Sequence, residues 1–324
     1  MAEPAAGPSR PSPRLVGPGL LGRLRRWMDS DIFYAFIRQP IVVVSFTVTV
    51  VMVLAAVFAP VLAPQNPFNP PELELMDAFS APGTTSMTGD MVYWLGADGQ
   101  GRDIFSAILY GARISLFVGV SAVLFAMILG TALGLYAGYR GGWPDAIIMR
   151  IVDVQLTFPN ILVALLIFGV ISNLLPAGDR AQAALVVLVV SIGLSDWVHY
   201  ARTVRGATMV EKTKEYVQAG HVIGLPARTI LARHVLPNVM RPVLVIGTIG
   251  LALAIIAEAT LSFLGVGMPP TQPSLGTLIR VGQDYMFSGE WWITLFPSIA
   301  LLALALSVNL LGDWLRDVLN PKLR

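Results

Sequence analysis

Between two long apolar runs lies EYVQAGHVIGLPARTILARHVLPN, Glu215 to Asn238, a polar stretch rich in small residues and broken by Pro226 and Pro237. It is too long for a simple turn. Glu215–Gly224 has helix-forming character, with the small pair Ala219 and Gly220, and Gly224 suits the left-handed position that stops a helix. Pro226 fits the first turn of a second helix, Ala227 to Val235, which carries Arg228, Arg233 and His234 among apolar residues. Pro237 is expected to end that helix before the next apolar run. The result is a compact helix–turn–helix. Small residues on an exposed helix let another backbone come close, so the stretch reads either as the occupant of a partner's cleft or as a plain connector.

The flanking runs are explained by composition. Of 324 residues, 55% are hydrophobic and only 13% charged, and the mean hydropathy is +0.69. A soluble domain carries about 25% charged residues, so most of this surface faces lipid. The absence of cysteine excludes disulfides and Cys-based metal or redox centres. His199, His221 and His234 are scattered, none in metal-ligand spacing, and no cofactor is expected. No G-x-x-x-x-G-K-[ST] phosphate loop occurs, so ATP hydrolysis by this chain is not expected, and neither is a nucleic-acid partner.

Six segments are long and apolar enough to span a bilayer, which needs about 20 residues each. They define an all-α polytopic membrane protein. The expected organisation is a tail over 1–40, a first span over 41–63, an outer loop over 64–113, a five-helix core over 114–312 and a C-terminus over 313–324. The core spans run over about 114–136, 147–172, 182–204, 241–263 and 293–311, with an inner loop over 205–240. Within the tail, residues 1–19 have a disordered composition, whereas 20–38 read as an amphipathic helix against membrane lipid. The first apolar run is longer than a signal core of ~7–15 residues and is read as a permanent anchor.

Six spans put both termini on one side. That side, with its loops and span ends, holds 18 of the 22 Lys and Arg residues; Arg102, Arg113, Arg180 and Arg280 lie on the other. Positive charge stays cytoplasmic, which places both termini and the Glu215–Asn238 stretch inside.

Ionisable groups within spans are costly and often mark function. Asp153, Asp196 and His199 lie toward the inner ends of their helices, and Glu258 toward the outer end. Arg150 with Asp153, and Asp196 with His199, are three apart and suit local pairing. Glu258 either braces the fifth span against the outer loop or faces a pathway. Pro159 in TFPN should kink the third span. Gly96, Gly99 and Gly101, with Asp98, Arg102 and Asp103, read as a turn and cap before a short surface helix running into the second span. Trp291 and Trp292 are expected to anchor the sixth span at the outer interface.

The opening stretch also carries a resemblance. Gln218-Ala219-Gly220, three residues, Gly224, nine residues, then His234-Val-Leu236-Pro237 resembles the EAA loop of ABC-importer permeases. That pattern is Glu-Ala-Ala, three residues, Gly, nine residues, Ile-x-Leu-Pro. The departures are Gln218 for Glu, Gly220 for Ala and His234 for Ile. LGADGQGRDIFSAILYGARISLFVG (Leu95–Gly119), GYRGGWPDAIIMRIVD (Gly138–Asp153), EATLSFLGVGMPP (Glu258–Pro270), SLGTLI (Ser274–Ile279) and NLLGDWLRDVLNPKLR (Asn309–Arg324) are similar to further signatures of the same group. Together they sample the chain from Leu95 to its end.

The chain thus resembles the C-type inner-membrane permease subunit of a dipeptide/oligopeptide-class ABC importer. The resemblance implies a type I importer transmembrane domain with a cytoplasmic coupling helix. Its implied partners are a homologous second permease, two cytoplasmic ABC ATPases and an extracytoplasmic substrate-binding protein. It casts Glu215, Gln218, Ala219, Gly220, Gly224, His234, Leu236 and Pro237 as ATPase-coupling residues. Asp153, Asp196, His199 and Glu258 are left as pathway or packing groups. The competing readings are a proton- or sodium-coupled secondary transporter and an intramembrane enzyme. The first has no use for an ATPase-docking helix; the second lacks a nucleophile beside Asp196 and His199.

Overall fold

Apolar runs near 20 residues form helices in lipid because the bilayer offers no other partner for their backbone polar groups. The computed structural model describes residues 36–319 and is helical almost throughout. The surface helix expected over 20–38 lies outside the described residues except at its last three positions, as do residues 320–324. Contacts divide the chain into two units, Met1–Val43 and Val44–Arg324, with the division falling inside the first helix. Of the first unit, only residues 36–43 are described.

The helices used below are α1 (Pro40–Val57), α2 (Ala59–Leu62), α3 (Ile104–Arg140), α4 (Gly142–Gln155), α5 (Asn160–Leu174), α6 (Arg180–Glu211), α7 (Glu215–Val222), α8 (Ala227–Ile230), α9 (Leu236–Phe263), α10 (Leu275–Gln283) and α11 (Trp292–Leu319). Among the described residues, five helical stretches are each long and apolar enough to cross a membrane, and α4 with α5 makes a sixth if counted as one broken span.

The most extensive packing joins α3 and α6. It depends on Gly130, Gly134 and Gly138, spaced four apart on one face of α3. A Cβ at Gly130 would meet the Trp197 carbonyl at 2.4 Å, one at Gly134 the Ala201 carbonyl at 2.4 Å, and one at Gly138 the Arg205 carbonyl at 2.7 Å. Small residues at that spacing let two membrane helices touch backbone to backbone. Further cores join α5 to α3, α6 and α9 through Phe168, Leu188 and Leu261, and α3 to α9, α10 and α11 through Leu275, Ile255 and Leu304.

The structure refines or corrects the expected elements in several places. The capped surface helix expected to run into the second span is continuous with it as α3 from Ile104, where the Asp103 carboxylate accepts from the Ser106 amide at 2.8 Å. The third span is not merely kinked at Pro159. The chain leaves helix at Leu156, and α4 and α5 meet at 100°. Pro237 does not end the second short helix. A wide π turn over Leu231–Val235 takes the Leu236 amide to the Leu231 carbonyl, so Pro237 falls in the first turn of α9, where a missing N–H is tolerated. Trp292 is buried rather than presented to lipid, and its Nε1 donates to the Ala97 carbonyl at 3.2 Å; Trp291 remains half exposed.

The segment between α2 and α3 contains a two-stranded antiparallel hairpin, β1 (Thr84–Thr85) and β2 (Val92–Tyr93). Asp77 ties it down by accepting from the Tyr93 hydroxyl at 3.1 Å and the Met87 amide at 2.9 Å. Arg102, buried with Asp98 in a 2.7 Å ion pair, donates to the Pro270 carbonyl at 3.0 Å and so joins this segment to the loop before α10.

Candidate functional site

The first candidate surface is the helix–turn–helix. α7 stops as its sequence requires. Gly224 adopts φ 79°, the Leu225 amide reaches back to the Gly220 carbonyl at 3.0 Å, and the Gly224 amide reaches His221 at 3.0 Å. This double bond pattern closes a helix through a left-handed glycine. Pro226 then stands at the cap just before α8, not inside its first turn.

One face of this unit roots it. Val217, Ile230, Val235 and Val239 are buried with Ala126, Tyr200 and Val204 in a single apolar cluster. Gly220 belongs to that inner face; a Cβ there would lie 3.6 Å from Ile230 and Leu225. Gly220, expected on the partner-facing side, is instead buried within the unit, where a Cβ would make only ordinary contact.

The opposite face is open. Glu215, Gln218, Ala219 and Val222 follow helical spacing and are all exposed; Val222 is 87% exposed and the neighbouring Ile223 73%. Sequence reasoning missed Val222 and Ile223. The signal was present in the series 215, 218, 219, 222, which lies opposite Val217 and Gly220. Pro237 is exposed, while Leu236 and His234 are half-buried. The Asn238 amide group fastens the base by donating to the His234 carbonyl at 2.8 Å and the Tyr216 hydroxyl at 3.0 Å. Tyr216 also donates to Glu211; partial burial and then this bond push its phenol above the usual value.

The second candidate is a cavity of about 990 Å³ bounded by the α4–α5 break, α6 and α9, with Arg316 of α11 at its edge. Asp196 and His199 line it and meet through a third residue. Asn160, the first residue of α5, donates to Asp196 at 2.8 Å and lies 3.0 Å from His199 Nε2. Leu253, Ile256 and Thr260 of α9 form the facing wall. Asp153 is not paired with Arg150; it accepts from Arg202 across the helix interface. Three-residue spacing favoured the local partner, but tertiary packing supplied a cation 49 positions away.

Glu258 does not line the cavity. It is fully buried and accepts from Ser115 at 2.6 Å and Ser262 at 2.7 Å. Among the described residues, no cluster of three His, Asp or Glu side chains is placed to hold a metal ion.

An apolar helical core, a rooted helix–turn–helix with one open face and a cavity at a broken span define a membrane transport subunit. Residues 130–324 match the family described as binding-protein-dependent transport system inner membrane component, and residues 27–82 match the N-terminal TM domain of oligopeptide transport permease C. The chain belongs to this permease family. It is a multi-pass inner-membrane permease subunit of an ABC importer, a class whose ATPase and substrate-binding components are other proteins and whose permeases are not themselves enzymes.

Relatives agree over nearly the whole length. The chain is 39% identical to the dipeptide transport system permease protein DppC of Haemophilus influenzae, covering 85% of this chain and 88% of that protein. It is 37% identical to the glutathione transport system permease protein GsiD of Pectobacterium atrosepticum, covering 89% of each. Identity to DppC of Escherichia coli is 37%, covering 91% of this chain and 93% of the relative. Among solved structures, a chain of the MetNI methionine ABC transporter superposes with a TM-score of 0.51 at 18% identity, covering 66% of this chain and 96% of that one. The fold is that of a type I importer transmembrane domain.

Proposed function

We propose that this subunit moves peptides, or a related small solute such as glutathione, inward across the membrane beside a homologous second permease and above two ATPases. The relatives named for dipeptide and glutathione transport support that cargo class. The helix–turn–helix is the coupling element, and both termini are cytoplasmic with it.

The observation that carries this reading is the two-sided nature of α7. Its inner face is cemented into the permease by Val217, while Glu215, Gln218, Ala219, Val222 and Ile223 stay open. An amphipathic helix with a rooted side and a free side fits a groove on another protein. ATP binds the closed ATPase pair better than the open one, and a helix seated in that pair passes the preference to the membrane. The cavity beside Asn160, Asp196 and His199 lies on the route that cargo takes.

A photocrosslinker at Ala219 tests the docking. In the assembled transporter it is expected to capture a P-loop ATPase subunit, with less capture when a crosslinker sits at Arg180 on the far side. Equal capture from the two positions removes the coupling assignment.

A further inference from the structure

The elbow between α4 and α5 carries a second groove, apart from the cavity above. α5 runs back along α6: Asn160 meets Asp196, and Ala164 and Phe168 share a core with Ala184, Val187 and Leu188. Since α4 meets α5 at 100°, α4 crosses the inner part of α6 steeply. Both carboxylates of α4 that face α6 are taken by it. Arg205 donates to Asp145 at 2.8 and 2.7 Å, and Arg202 donates to Asp153.

Arg150 lies between those two acids in sequence and shares neither bond. It is exposed and has no ion pair or hydrogen bond among the described residues. Trp143, Ile147, Ile151 and Val154 are each more than half exposed, and their spacing puts them along one side of α4. The elbow encloses about 480 Å³. Its walls are Arg150, Ile151, Val154, Phe158, Leu162 and Leu166 among others, so one cation stands at the edge of an otherwise apolar trough. The one amide in the wall, Gln155, is committed elsewhere: it donates to the Leu194 and Ser195 carbonyls at 2.9 Å and accepts from Trp197 at 3.1 Å.

We propose that this elbow binds an anionic phospholipid, with acyl chain along Phe158, Leu162 and Leu166 and headgroup phosphate on Arg150. The chemistry fits on three counts. A guanidinium at the rim of a hydrocarbon-facing groove is satisfied by a phosphate, which it grips with two donors. The neighbouring acids are already neutralised, so the local surplus is one positive charge, which favours a lipid of net negative charge over a zwitterion. Trp143, seven residues before Arg150, is an aromatic of the kind that sits at headgroup level.

The test uses the complete transporter in phosphatidylethanolamine nanodiscs doped with phosphatidylglycerol carrying a photoactivatable acyl chain. Labelling is expected on the peptide containing Phe158–Leu166. Arg150→Gln should lower it about fivefold, the loss expected when one basic group leaves the membrane surface. Arg150→Lys should restore most of it, and Leu162→Trp, which fills the trough, should lower it without touching the charge. A phosphatidylcholine probe is expected to label weakly and to ignore Arg150→Gln. Equal labelling by the two probes, labelling indifferent to both Arg150→Gln and Leu162→Trp, or no labelling of the wild-type complex (an elbow closed by the second permease) would each overturn the proposal.

Discussion

Ser115 on α3 donates a 2.6 Å hydrogen bond to Glu258 on α9, joining two membrane helices through a carboxyl group that is wholly buried. The same serine oxygen accepts from the Leu275 amide at 3.3 Å and so fastens the start of α10. This geometry supports reading Glu258 as a brace. Removing one donor from a buried acceptor costs about 1–3 kcal/mol. Ser115→Ala should lower the detergent unfolding temperature and membrane abundance, while uptake per inserted molecule changes little. Uptake lost at unchanged stability would make Glu258 a pathway group instead.

Gly134→Val should be more damaging than any of these. Its side chain would enter the space held by the Ala201 carbonyl, and membrane cores tolerate overpacking at a cost of about 1–3 kcal/mol or more. Abundance of the full-length chain in membranes reads this directly. Normal abundance would mean that α3 and α6 separate without harm.

Gly220→Ala should be nearly silent, because the added Cβ lies at ordinary contact distance, 3.6 Å, from Ile230. Val222→Asp and Ile223→Asp should leave the chain inserted yet weaken assembly with the ATPases, each by about 2 kcal/mol if either residue is a central contact. Cargo uptake beside co-purification measures both. Full coupling in the doubly substituted chain contradicts a docking face on α7.

Leu253→Trp narrows the cavity from the α9 wall, where Leu253 is 57% exposed. We expect reduced uptake with assembly intact. If uptake is unaffected, cargo passes elsewhere.

A reporter active only outside the cytoplasm, fused after Arg324, should stay silent, as the charge asymmetry requires. A strong signal inverts the topology.

Much of this was legible from local chemistry. The apolar runs announced the helices, and Gly224, four positions after Gly220 of the small pair, marked the helix stop that its positive φ makes. What stayed hidden depends on partners distant in sequence. Asp153 found Arg202 instead of Arg150 because helix crossing, not spacing, decides which cation arrives. Spacing suits Asp196 and His199 to each other, but it gives no hint of Asn160, which reaches both from another helix. The G-x-x-x-G-x-x-x-G run at 130–138 was readable and passed over. The 100° turn at TFPN exceeds what proline alone dictates, since a missing hydrogen bond permits a bend without setting its size.

The wide turn at Leu231–Val235 has a mechanical meaning. It lets Ala227–Phe263 run as 37 residues of unbroken helix, about 55 Å end to end. A flexible joint at that place would dissipate a push as chain entropy. A continuous shaft does not: motion imposed at its Ala227 end reaches Leu253 and Thr260 through helix, and Pro237 and Pro242 are the prolines within it at which it can yield. The wall of the cavity and the second arm of the helix–turn–helix are one piece of polypeptide.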